Sequence, residues 1–163
     1  MADLAIQYLR RSTDHQEDSL EQQRAINDQH IRQNAYTTPP QDRLAVWTET
    51  GSGRSFEDRP VFQAMLKAVE TKAVDPDVLV IYRPSRFGRA DDLTEFGYYE
   101  HRFRKAGVRI EYASGSEYNL GGIAGHLTRS LAYAQAAEYS KDLSNYATRG
   151  MLENARNGYS TGG

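Results

Sequence analysis

Apolar residues along this chain fall into short continuous runs separated by longer stretches in which they recur every three or four positions. "LAIQYL" (residues 4–9), "LAVWTE" (44–49), "DVLVIY" (77–82) and "VRIEYA" (108–113) read as buried strands. "SLEQQRAINDQHIRQN" (19–34) reads as a helix, with Ser19 and Gln22 in the S-x-x-Q spacing that satisfies free amides of a first turn. Pro60 suits the first position of a second helix, whose Phe62, Met65, Leu66 and Val69 form a core face. A third helix is predicted from Asp91 to Ala106, with Leu93, Phe96, Tyr99 and Phe103 at helical spacing and Gly107 at the stop position. Strands alternating with helices of this length pair in parallel through right-handed crossovers. The expectation is a three-layer α/β domain, a mostly parallel sheet flanked by helices, over residues 1–122.

A different pattern follows. Residues 126–157 hold no proline and one glycine, enough for a helix of about 48 Å at 1.5 Å per residue. Such a helix outruns a small domain, so the long helix assigned to residues 123–158 is expected to reach a second copy. Ala132, Ala136, Tyr139, Leu143, Tyr146 and Gly150, at alternating spacings of four and three, form the seam, with Tyr139, Leu143 and Tyr146 as its large side chains. An amphipathic helix lying on its own sheet is the plainer alternative. Residues 159–163 are read as the start of a linker to further domains.

Composition narrows the chemistry. With 163 residues and 39% hydrophobic content the chain can bury one core. No apolar run approaches a membrane span, and the N-terminus has no signal-peptide design, so a soluble, cytoplasmic protein is expected. The absence of cysteine excludes disulfides, thiolate metal sites and thiol nucleophiles. A net charge of −2 gives no global basic excess for nucleic acid, yet "RPSRFGR" gathers Arg83, Arg86 and Arg89 with no acid among them. These are either a concentrated phosphate site or solvated surface charges.

Parallel topology decides what could meet. Ligands bind beyond the carboxyl ends of such strands. Ser12 and Thr13 follow the first strand, Glu49 to Arg54 end and follow the second, and Arg83 to Arg89 follow the third. A hydroxyl and several guanidinium groups would therefore share one edge. Planar guanidinium forks match phosphate oxygens and stabilise charge developing at phosphorus, and a serine among them is a candidate nucleophile. No Ser-His-Asp pattern competes, although His15 is close in sequence. Taken singly, Ser12 reads as a turn residue, Tyr8 as core, Gln16 and Asp58 as loop and cap residues, and the arginines as surface ions.

Taken jointly, these blocks resemble the catalytic domain of serine recombinases, of the resolvase and invertase kind, and most of all the large serine integrases and transposases. "YLRRST" is similar to the family's tyrosine-x-arginine-x-serine signature, with Tyr8, Arg10 and Ser12 in matching places; Gln16 and the "SLEQQ" helix start also fit. "ETGSGRSFEDRPVFQAML" is similar to a second block, where Arg59 matches an active-site arginine, and "DVLVIYRPSRFGR" to a third, where Arg86 and Arg89 match an arginine pair.

The resemblance implies that Ser12 attacks a phosphodiester of double-stranded DNA, forming a 5′-phosphoserine bond and releasing a 3′ hydroxyl. No metal or other cofactor is implied. Arg10, Arg59, Arg86 and Arg89 would hold the phosphate, with Tyr8, Thr13 and Gln16 in support, in a homo-oligomer of two to four copies joined through the long helix. The chain departs from the pattern at Ser85, where the family carries an aspartate linked to proton transfer. Asp14, Glu49, Asp58, Asp91, or Arg89 with water, remain open for that part. Two other readings stay in view: a nuclease holding magnesium through Glu49, Asp58 and Asp77, and a non-catalytic assembly module.

Overall fold

The computed structural model describes residues 1–11, 18–51, 55–88 and 93–156. Four strands form one parallel sheet in the order β2-β1-β3-β4, with β1 at Ala5–Arg11, β2 at Val46–Thr50, β3 at Val78–Ile81 and β4 at Arg109–Tyr112. Helices α1 (Leu20–Gln33), α3 (Pro60–Glu70) and α5 (Leu93–Lys105) make the crossovers. The first connection places α1 on one face, and the next two place α3 and α5 on the other. The expected three-layer, parallel α/β fold is the observed one.

Two elements differ from the sequence reading. Residues 42–45 form a helical turn, α2 (Asp42–Ala45), so β2 begins at Val46 rather than Leu44. A short apolar run does not separate strand from helix by pattern alone. Here the Trp47 indole N–H donates to the Leu44 carbonyl at 3.0 Å and closes the turn. The arginine-rich segment after β3, read as loop, contains α4 (Pro84–Phe87), opened by the proline and ended at Gly88.

Alternation along the strands sorts the two faces. Ile6, Tyr8, Leu79, Ile81 and Tyr112 point toward α3 and α5, where they meet Phe56, Phe62, Leu66, Phe87, Phe96 and Phe103. Edge-to-face contacts run through this layer, including Tyr8 to Phe62 at 5.6 Å and Phe87 to Phe96 at 5.2 Å. Gly107, at φ +89, ends α5, and the Val108 amide returns to the Phe103 carbonyl at 2.9 Å.

The α1 face is more polar. Ser19 caps α1 by accepting from the Gln22 amide at 3.1 Å, and the helix buries Gln23, Asn27 and Ile31. Toward β4, Glu111 accepts from Arg109 at 2.8 Å and from the Tyr36 hydroxyl at 3.0 Å, and lies 2.8 Å from His30 Nε2. Arg109 also donates to Asp3 at 2.6 Å. Burial would push the Glu111 carboxyl up; donation from Arg109, His30 and Tyr36 outweighs it, and the group sits below the usual glutamate value.

The chain leaves the sheet through a 3₁₀ turn at Ser116–Asn119 and enters α6 (Gly122–Arg156), one residue before the start assigned from the sequence. Arg129 fixes this entry, donating to Glu100 of α5 at 2.7 Å and to the Tyr118 carbonyl at 3.0 Å. Gly125 makes the close approach possible, because a Cβ there would lie 1.6 Å from the Leu120 carbonyl oxygen. Tyr146, predicted as a seam residue, is 69% exposed; the side chains of Tyr139 and Leu143 lie outside those described. Exposed Ile123, Leu127 and Leu131 add an apolar stripe, at a spacing of four, ahead of that seam.

Two outcomes follow from this packing. Because the Glu111 carboxyl is held below its unfolded value, its contribution is complete above about pH 4.5 and disappears as pH falls through the folded value. Glu111→Gln is expected to cost about 1–2 kcal/mol at neutral pH, and to flatten the acid limb of a melting-temperature profile. Gly125→Ala is expected to detach the start of α6, seen as lost amide-exchange protection around residues 116–129 with β1 and β3 unchanged.

Candidate functional site

The strand order reverses between β1 and β3: the connection from β1 leads to the β2 side, and that from β3 leads to β4. The carboxyl ends of these two strands therefore flank the crevice in which open α/β sheets bind ligands. The segment carrying Ser12 leaves from Arg11 at the end of β1, and α4 with its arginines leaves from the end of β3. β2 ends beside them, with the Gly51 amide donating to the Arg11 carbonyl at 3.1 Å.

Arg10 is 3% exposed and reaches from β1 to the α4 turn. Its Nε donates to the Arg86 carbonyl at 3.2 Å and an Nη to the Ser85 carbonyl at 2.8 Å. Arg59, 1% exposed at the residue before α3, donates to the next carbonyl, Phe87, at 2.6 Å. Its guanidinium carbon lies 4.6 Å from the Phe56 ring centre. Two buried cations thus take three consecutive carbonyls at the end of a one-turn helix, where the exposed carbonyl dipoles favour positive charge.

Charge balance comes from β2. Glu49 is paired with Arg10 across the sheet, and its Oε2 accepts from the Val61 and Phe62 amides at 2.9 and 3.0 Å, capping α3. Tyr8 is fully buried on the same face. Burial pushes its phenol far up, opposed by the cations Arg59 and Arg10, so the hydroxyl stays protonated.

Arg86 occupies the rim of the crevice. Its guanidinium donates to Asp18 Oδ2 at 2.8 Å, and Arg83 approaches the same oxygen at 3.4 Å. Arg83 also lies over the Tyr82 ring, 4.3 Å from its centre. Asp18 stands just before the α1 cap. Its carbonyl accepts from Gln23 Nε2 at 3.0 Å, and that side chain also pairs with the Arg10 backbone: Oε1 accepts from the amide at 3.2 Å, and Nε2 donates to the carbonyl at 3.0 Å. A fully buried glutamine thereby joins β1 to the first residues of α1.

The site residues expected from sequence divide as follows. Tyr8, Arg10, Arg59 and Arg86 come together. Ser85 belongs to the same turn, half-buried, with its carbonyl on Arg10. Asp58 is exposed and accepts from the Ser55 hydroxyl at 3.2 Å, outside the arginine group. Ser12, Thr13, Gln16 and Arg89 lie outside the described residues, as do Asp14 and Asp91. Arg83, grouped with Arg86 and Arg89 in the sequence, lies on the same turn, whereas Asp18 and Gln23 were not singled out. Gln23 lay within the "SLEQQ" block, and its burial at a polar helix position is the signal that could have marked it.

The carboxylates required by the magnesium reading do not converge. Glu49 caps α3 near the carboxyl edge, while Asp77 accepts from the Leu4 amide at 2.8 Å on the opposite edge. Among the described residues no three His, Asp or Glu side chains are placed to share a metal ion, and no helix is long and apolar enough to cross a membrane.

Comparisons with known proteins agree with this architecture. The C-terminal catalytic domain of ISC1926 TnpA, an IS607-like serine recombinase, is similar at 26% identity and TM-score 0.55, with 78% of each chain covered. The N-terminal catalytic domain of TP901-1 integrase shares the fold at 18% identity and TM-score 0.59, over 86% of this chain and 98% of that one. A resolvase family site-specific recombinase from Streptococcus pneumoniae does so at 17% identity and TM-score 0.58, over 94% and 99%. No curated protein matches the sequence. The family described as the resolvase N-terminal domain matches residues 5–160. With its crevice at the strand-order reversal and its arginines around one turn, the chain belongs to the resolvase family and is a serine recombinase catalytic domain, an enzyme of site-specific recombination.

Proposed function

We propose that the Ser12 hydroxyl attacks a phosphodiester of double-stranded DNA at this crevice. The serine oxygen bonds to phosphorus, the 3′ oxygen leaves and takes up a proton, and the 5′ phosphate remains as a serine ester. Attack by a 3′ hydroxyl on that ester reverses the step and restores the serine hydroxyl. The ester conserves the linkage, so rejoining requires no nucleotide cofactor.

The observation that supports this reading is the meeting of Arg10, Arg59 and Arg86 at the turn beside the end of β1. Arg86 is the group that can present a planar fork to a phosphate at the rim. Arg10 and Arg59 supply positive potential from behind it, in a site of low dielectric where fixed charge acts strongly on a transition state. Arg89 would complete the pair with Arg86, and Thr13 and Gln16 would orient groups beside Ser12. Tyr8, held protonated, is a positioning residue within the core. Neither Asp58 nor Ser85 contributes a charge to the arginine group, so the proton of the departing oxygen is left to solvent, to Arg89 or to the segment carrying Asp14.

The same reading divides the chain near residue 122 into a catalytic unit and a long connecting helix. It assigns the exposed Ile123, Leu127 and Leu131, with Tyr139, Leu143 and Tyr146 further along, to contact with further copies of this chain in a dimer or tetramer. A helix of about 52 Å extends past the body that anchors its first turns. Local positive potential at the crevice suits duplex DNA despite a net charge of −2, within a prokaryotic or phage-infected cytosol.

Ser12→Ala is expected to abolish strand cleavage and the covalent protein–DNA band on a denaturing gel, with the melting temperature unchanged. A chelator should leave parent cleavage intact, which separates serine chemistry from a metal nuclease. Arg86→Lys keeps the charge and loses the fork. It is expected to slow single-turnover cleavage by about 10²-fold or more, whereas a rate near the parent's would remove Arg86 from the phosphate.

A further inference from the structure

The arginine turn already holds an anion of the protein's own. Asp18 lies outside every group that the proposed chemistry requires, yet its carboxylate is only 10% exposed and one oxygen takes Arg86 at 2.8 Å and Arg83 at 3.4 Å. The Arg86 side chain is 12% exposed, so this contact belongs to a partly dehydrated cleft and not to a solvated surface pair. A single oxygen shared by two guanidinium groups reproduces what one phosphate oxygen would meet there.

Further contacts fix the carboxylate in place. The Asp18 carbonyl is held by buried Gln23, whose other contacts are to the Arg10 backbone, and the next residue, Ser19, caps α1. Asp18 is thereby tied through Gln23 to the Arg10 backbone of β1.

We propose that Asp18 occupies the phosphate position of the crevice when DNA is absent, and that the scissile phosphate must displace it from Arg86 and Arg83. The inference rests on the reading of Arg86 as a phosphate ligand. Exchange of one anion for another has a definite consequence. The guanidinium groups lose the carboxylate as they gain the phosphate, so only the difference between the two contacts favours binding. The carboxylate lowers the affinity of the resting site for any phosphodiester and makes engagement conditional on separation of α4 from the start of α1. It also keeps Arg86 neutralised, since a guanidinium withdrawn from water without an anion is unfavourable.

Binding of the full chain to a fluorescein-labelled duplex of arbitrary sequence, followed by anisotropy across a salt series, tests this. Asp18→Asn is expected to tighten binding by about threefold to tenfold. The plot of log affinity against log salt should steepen by about 0.9, equivalent to one added phosphate contact. That gain should vanish in an Arg86→Ala background. Persistence of the gain without Arg86 would mean a general charge effect and would overturn the inference. So would unchanged or weaker binding by Asp18→Asn while Arg86→Ala still weakens the parent. Should Arg86→Ala bind DNA as the parent does, Arg86 is not a phosphate ligand, and the underlying reading falls together with the inference. Asp18→Ser, still able to accept from Arg86 but uncharged, carries the same comparison if the asparagine variant melts early.

Discussion

Two buried guanidinium groups bound to the carbonyls of one helical turn hold this site together. A cation removed from water is unfavourable by several kcal/mol unless good acceptors replace the lost hydration. Arg10 and Arg59 find them in the carbonyls of residues 85, 86 and 87, at the end of a one-turn helix. Each side serves the other: the cations give three carbonyls charged donors, and the carbonyls replace part of the hydration that the cations lose. The turn is thereby fixed to β1 through Arg10 and to the start of α3 through Arg59. Arg86, whose own carbonyl is gripped, can direct only its side chain outward.

The sheet sets this arrangement between two unlike layers. On the α3 and α5 side the contacts are aromatic and non-directional, and they seat Tyr8, Phe62 and Phe87 beneath the turn. On the α1 side they are directional, with Gln7 on Asp28, Gln23 on the Arg10 backbone and Glu111 among Arg109, Tyr36 and His30. Arg10 belongs to both, with its side chain in the first layer and its peptide groups in the second. A displacement of α1 is consequently felt at the arginine turn through Gln23, without any change in the apolar core.

Much of the fold was legible because its signals are local and periodic. The continuous apolar runs marked β1, β3 and β4, the spacing of Phe62, Met65, Leu66 and Val69 marked α3, and parallel topology then placed three loops on one edge. The loop ends meet there because the order β2-β1-β3-β4 reverses between β1 and β3, which no single segment encodes. What Arg10 and Arg59 touch was not legible. Their partners are backbone carbonyls, which have no letter in the sequence, so pattern matching assigned both residues directly to a phosphate. Asp18 was missed for a related reason. An acid before a helix cap reads as a dipole partner, and only the folded chain brings it against an arginine 68 positions away.

The identity of residue 85 gains meaning from the same contact. An aspartate at that position would ride on α4 next to Arg86 and remain with it through any motion of the turn. This chain has Ser85, and the carboxylate beside Arg86 comes instead from Asp18, on the α1 side of the crevice. A charge fixed to the turn adjusts the arginine permanently, whereas one borne across the crevice acts only while the two walls are together. Moving the negative charge from one wall to the other therefore converts a constant local field into a contact that opening of the crevice can break.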